Sequence, residues 1–294
     1  MNWNLGQAAA LIITVSSALS AQAWDPVKQA TGWAKVDKDG SIAFYDPASR
    51  KIYSWMKDGG IIGELDVSKL QQPPEKWVVD FSSNAWVVSG RSLSYVKKDG
   101  EVYTLQLPCE VADLAWDAQG FYLSYRTPEP FIEMRQWNGE SLVWYIRNRA
   151  MKIEPAPTVQ HRIAVSEDKT LFIASGGSLQ MQAIDCANGR IKGSTSFSVH
   201  SGLAPSLNLG TQDRGVVAWW LSKNTSITAV PASQLSSLTP GSLYLAVEDL
   251  NTSTIDFVPT GLSEKHAFIG MLESEAVFIA PGGGLAFVPV KSPE

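Results

Sequence analysis

The stretch from Trp33 to Val67, WAKVDKDGSIAFYDPASRKIYSWMKDGGIIGELDV, decides the fold. It reads as four short strands with a turn between each. Trp33 to Val36 is the first strand. Asp37-Lys38-Asp39-Gly40 is a turn, with glycine free to take a positive φ. Ser41 to Tyr45 is the second strand, and Asp46-Pro47-Ala48-Ser49 turns the chain back. Lys51 to Met56, the third, sets Ile52, Ser54 and Met56 against Tyr53 and Trp55. Lys57-Asp58-Gly59-Gly60 is a hairpin signal, and Ile61 to Val67 closes the unit.

The phrase returns. Residues 77–107 read WVVDFSSNAWVVSGRSLSYVKKDGEVYTLQL, with Ser83-Asn84 and Asp99-Gly100 in the turns. Residues 111–146 place Asp117 to Gly120 and Asn138-Gly139 there. Residues 162–195 place Asp168-Lys169 and Asn188-Gly189 there. A fifth, degenerate unit spans 207–258 and includes SITAV at 226–230. A sixth, 267–290, holds three strands around Pro281-Gly282-Gly283-Gly284. Four strands recurring every ~40–50 residues predict an all-β chain folded as a β-propeller. The blade count is six, each of four antiparallel strands; seven results if 241–266 is a blade of its own. Residues 24–32 are expected to supply the strand that the last unit lacks and to cover its open edge. A pair of face-to-face sandwiches is the competing architecture. It gives no reason for the recurring Asp and Gly phase. Segments such as WVVDF (77–81), FYLSY (121–125) and VVAWWL (216–221) are apolar on both sides, as sheets buried on both faces require.

Composition bounds the rest. Of 294 residues, 45% are hydrophobic and 18% charged, which excludes wholesale disorder. Lys plus Arg is 24 and Asp plus Glu is 29, a net charge of −5, so no basic surplus exists to neutralise a phosphate backbone and no nucleic-acid partner is expected. Residues 1–23 carry no charged side chain. An apolar run from Ala8 to Leu19 leads to Ala21-Gln22-Ala23, a small-x-small pattern of the kind signal peptidases cut. The reading is a signal peptide over 1–23, although MNWNLGQ lacks Lys and Arg, and a single propeller domain over 24–294. The run is shorter than the ~20 residues that span a bilayer. The product is therefore an exported protein, periplasmic or extracellular, without a transmembrane span, and monomeric. Cys109 and Cys186 could pair in an oxidising compartment or stay as two buried thiols. His161, His200 and His266 lack metal-ligand spacing with them, so no metal site is expected.

The first unit resembles an NHL-type propeller repeat, in which V-D-x-x-G-N precedes a strand, an Asp, an R-h-x-h segment and a D-G turn. Val36-Asp37, Gly40, Ile42, Asp46, Arg50, Ile52, Trp55 and Asp58-Gly59 match, with Ser41 where Asn is usual. The likeness is good over 33–67, fair over 77–105 and slight beyond. It implies the six-bladed superfamily, whose members include binding scaffolds, lactonases and lyases, so fold does not decide activity.

A lactonase-type metal site would need carboxylates and Asn converging on the central channel from several blades. Glu75, Asp80, Glu110 and Asp113 lie near first-strand entries, but they come from two units only, and Asp80 and Asp113 read as turn acceptors. No nucleophile elbow and no phosphate-binding loop appears. No cofactor is expected. The favoured reading is a non-catalytic binding scaffold for a protein or glycan partner. Its alternative is a metal-dependent hydrolase or a lyase working at the channel. The loops between blades, and those joining second to third strands, share one face. That face is expected to bind through Asp46, Arg50, Glu75, Arg91, Arg126, Glu129 and His161.

Overall fold

A computed structural model describes residues 24–80, 82–126, 131–138, 142–147, 162–165, 169–175, 179–197, 206–209, 214–221, 242–249, 254–263 and 265–290. Among these residues the chain forms six antiparallel sheets in sequence order. The first holds β1 (Ile42–Asp46), β2 (Lys51–Met56) and β3 (Gly60–Asp66). The second holds β4 (Lys76–Val79), β5 (Ala85–Ser89), β6 (Ser92–Val96) and β7 (Val102–Gln106). The third holds β8 (Glu110–Trp116), β9 (Gly120–Arg126), β10 (Phe131–Gln136) and β11 (Leu142–Arg147). The fourth holds β12 (Arg162–Val165), β13 (Thr170–Ser175), β14 (Leu179–Asp185) and β15 (Ile191–Phe197). The fifth holds β16 (Ser206–Leu209), β17 (Arg214–Leu221), β18 (Ser242–Asp249) and β19 (Thr254–Pro259). The sixth holds β20 (Ala267–Leu272), β21 (Glu275–Ile279) and β22 (Leu285–Pro289). β18 thus pairs with β17, and β19 with β18, inside the fifth sheet. The segment 226–230 lies outside the described residues.

Each sheet buries its faces on its neighbours. Ile52 and Leu65 of the first pack on Trp77, Val87 and Val96 of the second. Trp86 and Leu93 of the second meet Leu114, Phe121 and Leu123 of the third. Tyr122, Ile132 and Met134 meet Ile163, Ile173 and Ile184 of the fourth. β12 adjoins β16, and β16 adjoins β20. Leu243 and Leu245 of the fifth meet Phe268 and Phe278 of the sixth. Ile269, Val277 and Ile279 of the sixth then pack on Ile42, Phe44 and Trp55 of the first, so the succession returns to its start. Each such fully buried large side chain contributes about 1.5–3 kcal/mol, which is why the apolar positions of these strands gather at the sheet-to-sheet contacts.

The turns have a local cause. At Asp39, Asp46, Asp66, Asp80, Asp99, Asp117 and Asp185 the carboxylate accepts the amide two residues on. A short acidic side chain that closes its own turn explains the recurring Asp phase.

Two expectations fail at the junction of first and last units. Trp33 to Val36 is not a ladder strand. It keeps one bridge, Val36 to Ile42, while the Val36 amide donates to the Ile269 carbonyl at 2.9 Å. This segment is shared between the first and sixth sheets. Residues 24–32 do not add a strand either. Pro26–Gln29 is one helical turn, α1, capped by Asp25, whose side chain accepts from the Val27 amide. Proline at the start of the turn favours helix over ladder, because it has no N–H to give. The segment holds the last sheet through Gly284, whose amide donates to the Ala30 carbonyl at 2.8 Å. Trp24 stacks on Tyr53 of the first sheet, ring centroids 5.0 Å apart. The same nine residues therefore grip both ends of the chain's sheet succession.

Candidate functional site

Hairpins that follow the innermost segments, at 37–40, 80–84 and 117–119, lie on one rim. The segments after β1 and β5, and the entries to β4 and β8, lie on the other. Between the rims, near the axis, Lys35 and Asp113 form a buried ion pair, Nζ to Oδ2 2.8 Å, with Lys35 9% and Asp113 0% exposed. The ammonium also donates to the carbonyls of Leu114 and Ile163, which gives each of its three protons an acceptor. Asp113 accepts from the Ile163 amide at 2.9 Å and from Trp33 Nε1 at 3.4 Å. First, third and fourth units are pinned together at the axis. Asp113 is therefore not the turn acceptor expected of it. It sits inside β8 at a register shift that turns it inward. Asp80 does close a turn, accepting from Ser82, Asn84 and Tyr95.

The cleft between the first and second sheets follows from two adjacent cross-strand rows. In one row Tyr45, Ile52 and Leu65 stand side by side and fill the gap to the second sheet. In the next row toward the hairpin rim stand Ala43, Ser54 and Gly63, too small to reach across. The result is a concavity of about 420 Å³. Trp33, Trp77, Trp116 and Trp137 line it with Asp37, Asp39, Asp80 and Asp117, and Lys35 lies at its base. Three indoles have committed their N–H groups inward: Trp77 to the Ala43 carbonyl at 2.9 Å, Trp116 to Asp37 Oδ2 at 3.0 Å, Trp33 to Asp113. What these three offer the cleft is carbon surface. Burial raises the Asp37 carboxyl above its usual range, more than the Lys38 amide and the Trp116 indole can offset.

Of the residues expected to bind, those described lie on the opposite rim and are held in local structure. Burial pushes the Asp46 carboxyl up, but bonds from Ser49 Oγ (2.6 Å) and from the Ala48 and Ser49 amides outweigh it and hold it below the usual range. Arg50 adopts a left-handed backbone, φ 54°, and donates to the Leu70 carbonyl at 2.8 Å. Glu75 accepts the Gly90 amide at 3.1 Å, and Arg91 donates to the Leu107 carbonyl. Arg126 faces Glu110 across 3.7 Å in solvent, a pairing worth little. Glu75, Arg126 and Lys76 border a more open concavity of about 440 Å³ on this rim, with Trp33 and Trp77 as its floor. Glu129 and His161 lie outside the described residues. Cys109 and Cys186 form no disulfide; burial pushes the Cys186 thiol up to about 12.

A hard divalent cation takes six or more oxygen ligands. Among the described residues no three His, Cys, Asp or Glu side chains gather for one. The axial carboxylate is already bound to an ammonium and an amide, so the donor set at the axis does not fit such an ion.

Lys35, Asp37, Trp77 and Trp116 were not singled out as site residues from the sequence. The available signal was the coincidence of a Trp and a charged residue in successive innermost segments.

No family model and no curated protein matches the chain. Solved structures do. Virginiamycin B lyase from Staphylococcus aureus is 13% identical, over 88% of this chain and 80% of that one, TM-score 0.57. A gluconolactonase from Xanthomonas campestris is 14% identical, over 90% and 89%, TM-score 0.54. A chain of the mitotic checkpoint complex is 9% identical, over 99% and 98%, TM-score 0.52. With the packing above, these likenesses define the class: a β-propeller. They span two kinds of enzyme and a component of an assembly, so they define no activity.

Proposed function

We propose that the chain is an exported, monomeric six-bladed propeller related to the NHL type, and that it acts by binding a protein or glycan partner without catalysis. Six sheets among the described residues and the NHL-like first repeat support the blade count. Export is supported by the apolar run from Ala8 to Leu19 and the small-x-small site Ala21-Gln22-Ala23 that follows it. The observation that carries the binding role is the Trp-lined cleft between the first two sheets. It is concave, its indole N–H groups are largely spent inside, and its rim is polar, the combination typical of recognition sites. The contact surface is thus placed on the hairpin rim rather than on the rim of Asp46 and Arg91. The test is a cleft-filling variant, Ser54→Phe, compared with wild type on glycan arrays and against candidate protein partners. Loss of binding with an unchanged far-ultraviolet spectrum is expected; undiminished binding refutes the assignment.

A second reading, a propeller lyase or hydrolase, is favoured by one observation. Asp37 is a carboxyl raised by burial inside a cleft, a group suited to proton transfer. Turnover of a lactone panel or of virginiamycin B, abolished in Asp37→Asn, would establish it.

A further inference from the structure

We infer that the group received by the cleft between the first two sheets is an organic cation, an ammonium or guanidinium borne on a body the size of a side chain. The inference rests on the reading of that cleft as the binding site and adds the chemistry of its ligand.

The argument is one of donors, acceptors and charge. Trp33, Trp77 and Trp116 spend their N–H groups on Asp113, Ala43 and Asp37, so what they offer the cleft is ring surface, and the Lys35 ammonium already lies 5.9 Å from the Trp33 ring centroid. Charges on the lining do not balance. Lys35 is matched by Asp113, which lies behind it. That leaves Asp37, Asp39, Asp80 and Asp117 against Lys38, which is exposed at the rim. Asp80 and Asp117 have tyrosine hydroxyls and turn amides as donors, from Tyr95 and Tyr122 among others. Asp37 accepts from the Trp116 indole and the Lys38 amide, which do not offset its burial, and Asp39, exposed at the rim, accepts the Ser41 amide. A π surface beside carboxylates in a partly dried cleft attracts a cation twice, through the ring quadrupole and through Coulomb attraction that water screens poorly there. A neutral sugar would gain neither. The volume of about 420 Å³ admits an arginine-sized group with some water.

The experiment uses isosteres that differ only in charge. Choline is titrated against 3,3-dimethylbutan-1-ol, and Nα-acetyl-arginine amide against Nα-acetyl-citrulline amide, by calorimetry on the full mature chain. Each cation is expected to bind at least about tenfold more tightly than its neutral partner. The preference should shrink in 0.5 M salt and in Asp39→Asn, which keeps an acceptor for the Ser41 amide. A tighter arginine arm identifies a basic side chain of a protein partner; a tighter choline arm identifies a small free amine. Equal binding of charged and neutral partners overturns the cation while leaving the cleft as the site. No binding of any probe also overturns it, and whether Ser54→Phe abolishes partner binding then decides separately if the cleft is used at all.

Discussion

Removing the ammonium from the axis tests the structural core of the argument. In Lys35→Met the Asp113 carboxylate, fully buried, keeps the Ile163 amide and loses its counter-charge. Breaking a buried pair from one side costs about 3–5 kcal/mol, since the remaining charge stays desolvated. For a chain of this size that is a fall in thermal midpoint of about 6–12 °C. Asp113→Asn should cost a similar amount: a carboxamide oxygen in the Oδ2 position still accepts the Ile163 amide and the Lys35 ammonium, but the ammonium loses its counter-charge and the Trp33 indole meets an NH2 in place of an acceptor. The double variant carries no net buried charge and should recover about 2–3 kcal/mol relative to the sum of the singles. Urea unfolding at pH 7 on all four proteins gives the cycle directly. Additivity within about 0.5 kcal/mol would show that the two charges do not meet, and the axis would have to be drawn without this pin.

Asp37→Asn should stabilise the fold at neutral pH. A carboxyl raised in the folded state contributes stability only below its unfolded value, 3.8, and loses it as pH rises through the folded value, so the gain seen at pH 7 should vanish in melts near pH 3. Asp46 has the opposite sign. Its carboxyl is held down in the fold, so its contribution is present above 3.8 and lost on acidification, and Asp46→Ala should cost about 1–2 kcal/mol at pH 7 and much less in melts at low pH. Gly284→Ala places a Cβ 2.6 Å from the Val27 carbonyl oxygen at φ +89°, and should cost about 2–4 kcal/mol while raising protease sensitivity near residue 30.

Local chemistry was readable in the sequence and distant chemistry was not. Turn positions could be placed because Asp39, Asp46, Asp80 and Asp117 make their bonds within two to four residues, and those bonds need no knowledge of the rest of the chain. Strand boundaries followed from the turns. Even so, in the hairpin between β2 and β3 the left-handed residue is Gly60, φ 65°, one place after the Asp58-Gly59 pair that matched the repeat. Lys35 and Asp113 stand 78 positions apart, and nothing in WAKV or in EVADLAW tells that one answers the other. The fate of 24–32 was hidden for a related reason. A strand and a helical turn can both cover an exposed edge, and Pro26 decides only once the position of Gly284 is known.

The cleft owes its existence to the same distinction. Ala43, Ser54 and Gly63 belong to three strands, and in one dimension each is an unremarkable small residue. Registered side by side, they remove from the first sheet the surface that would otherwise reach Val79 and Trp77. A row of small residues in a sheet buried on both faces forfeits packing that the adjacent row of Tyr45, Ile52 and Leu65 obtains. Such a loss persists only where the surroundings hold the walls apart. Trp77 is fixed to the Ala43 carbonyl, Trp33 to the buried Asp113 and Trp116 to Asp37, so each wall is tied by a hydrogen bond and held back from the gap. This predicts that Ser54→Phe, which fills the row, raises the thermal midpoint even as it removes binding. A fall in midpoint would mean that the space is already closed in solution, and that the walls are not held as the hydrogen bonds require.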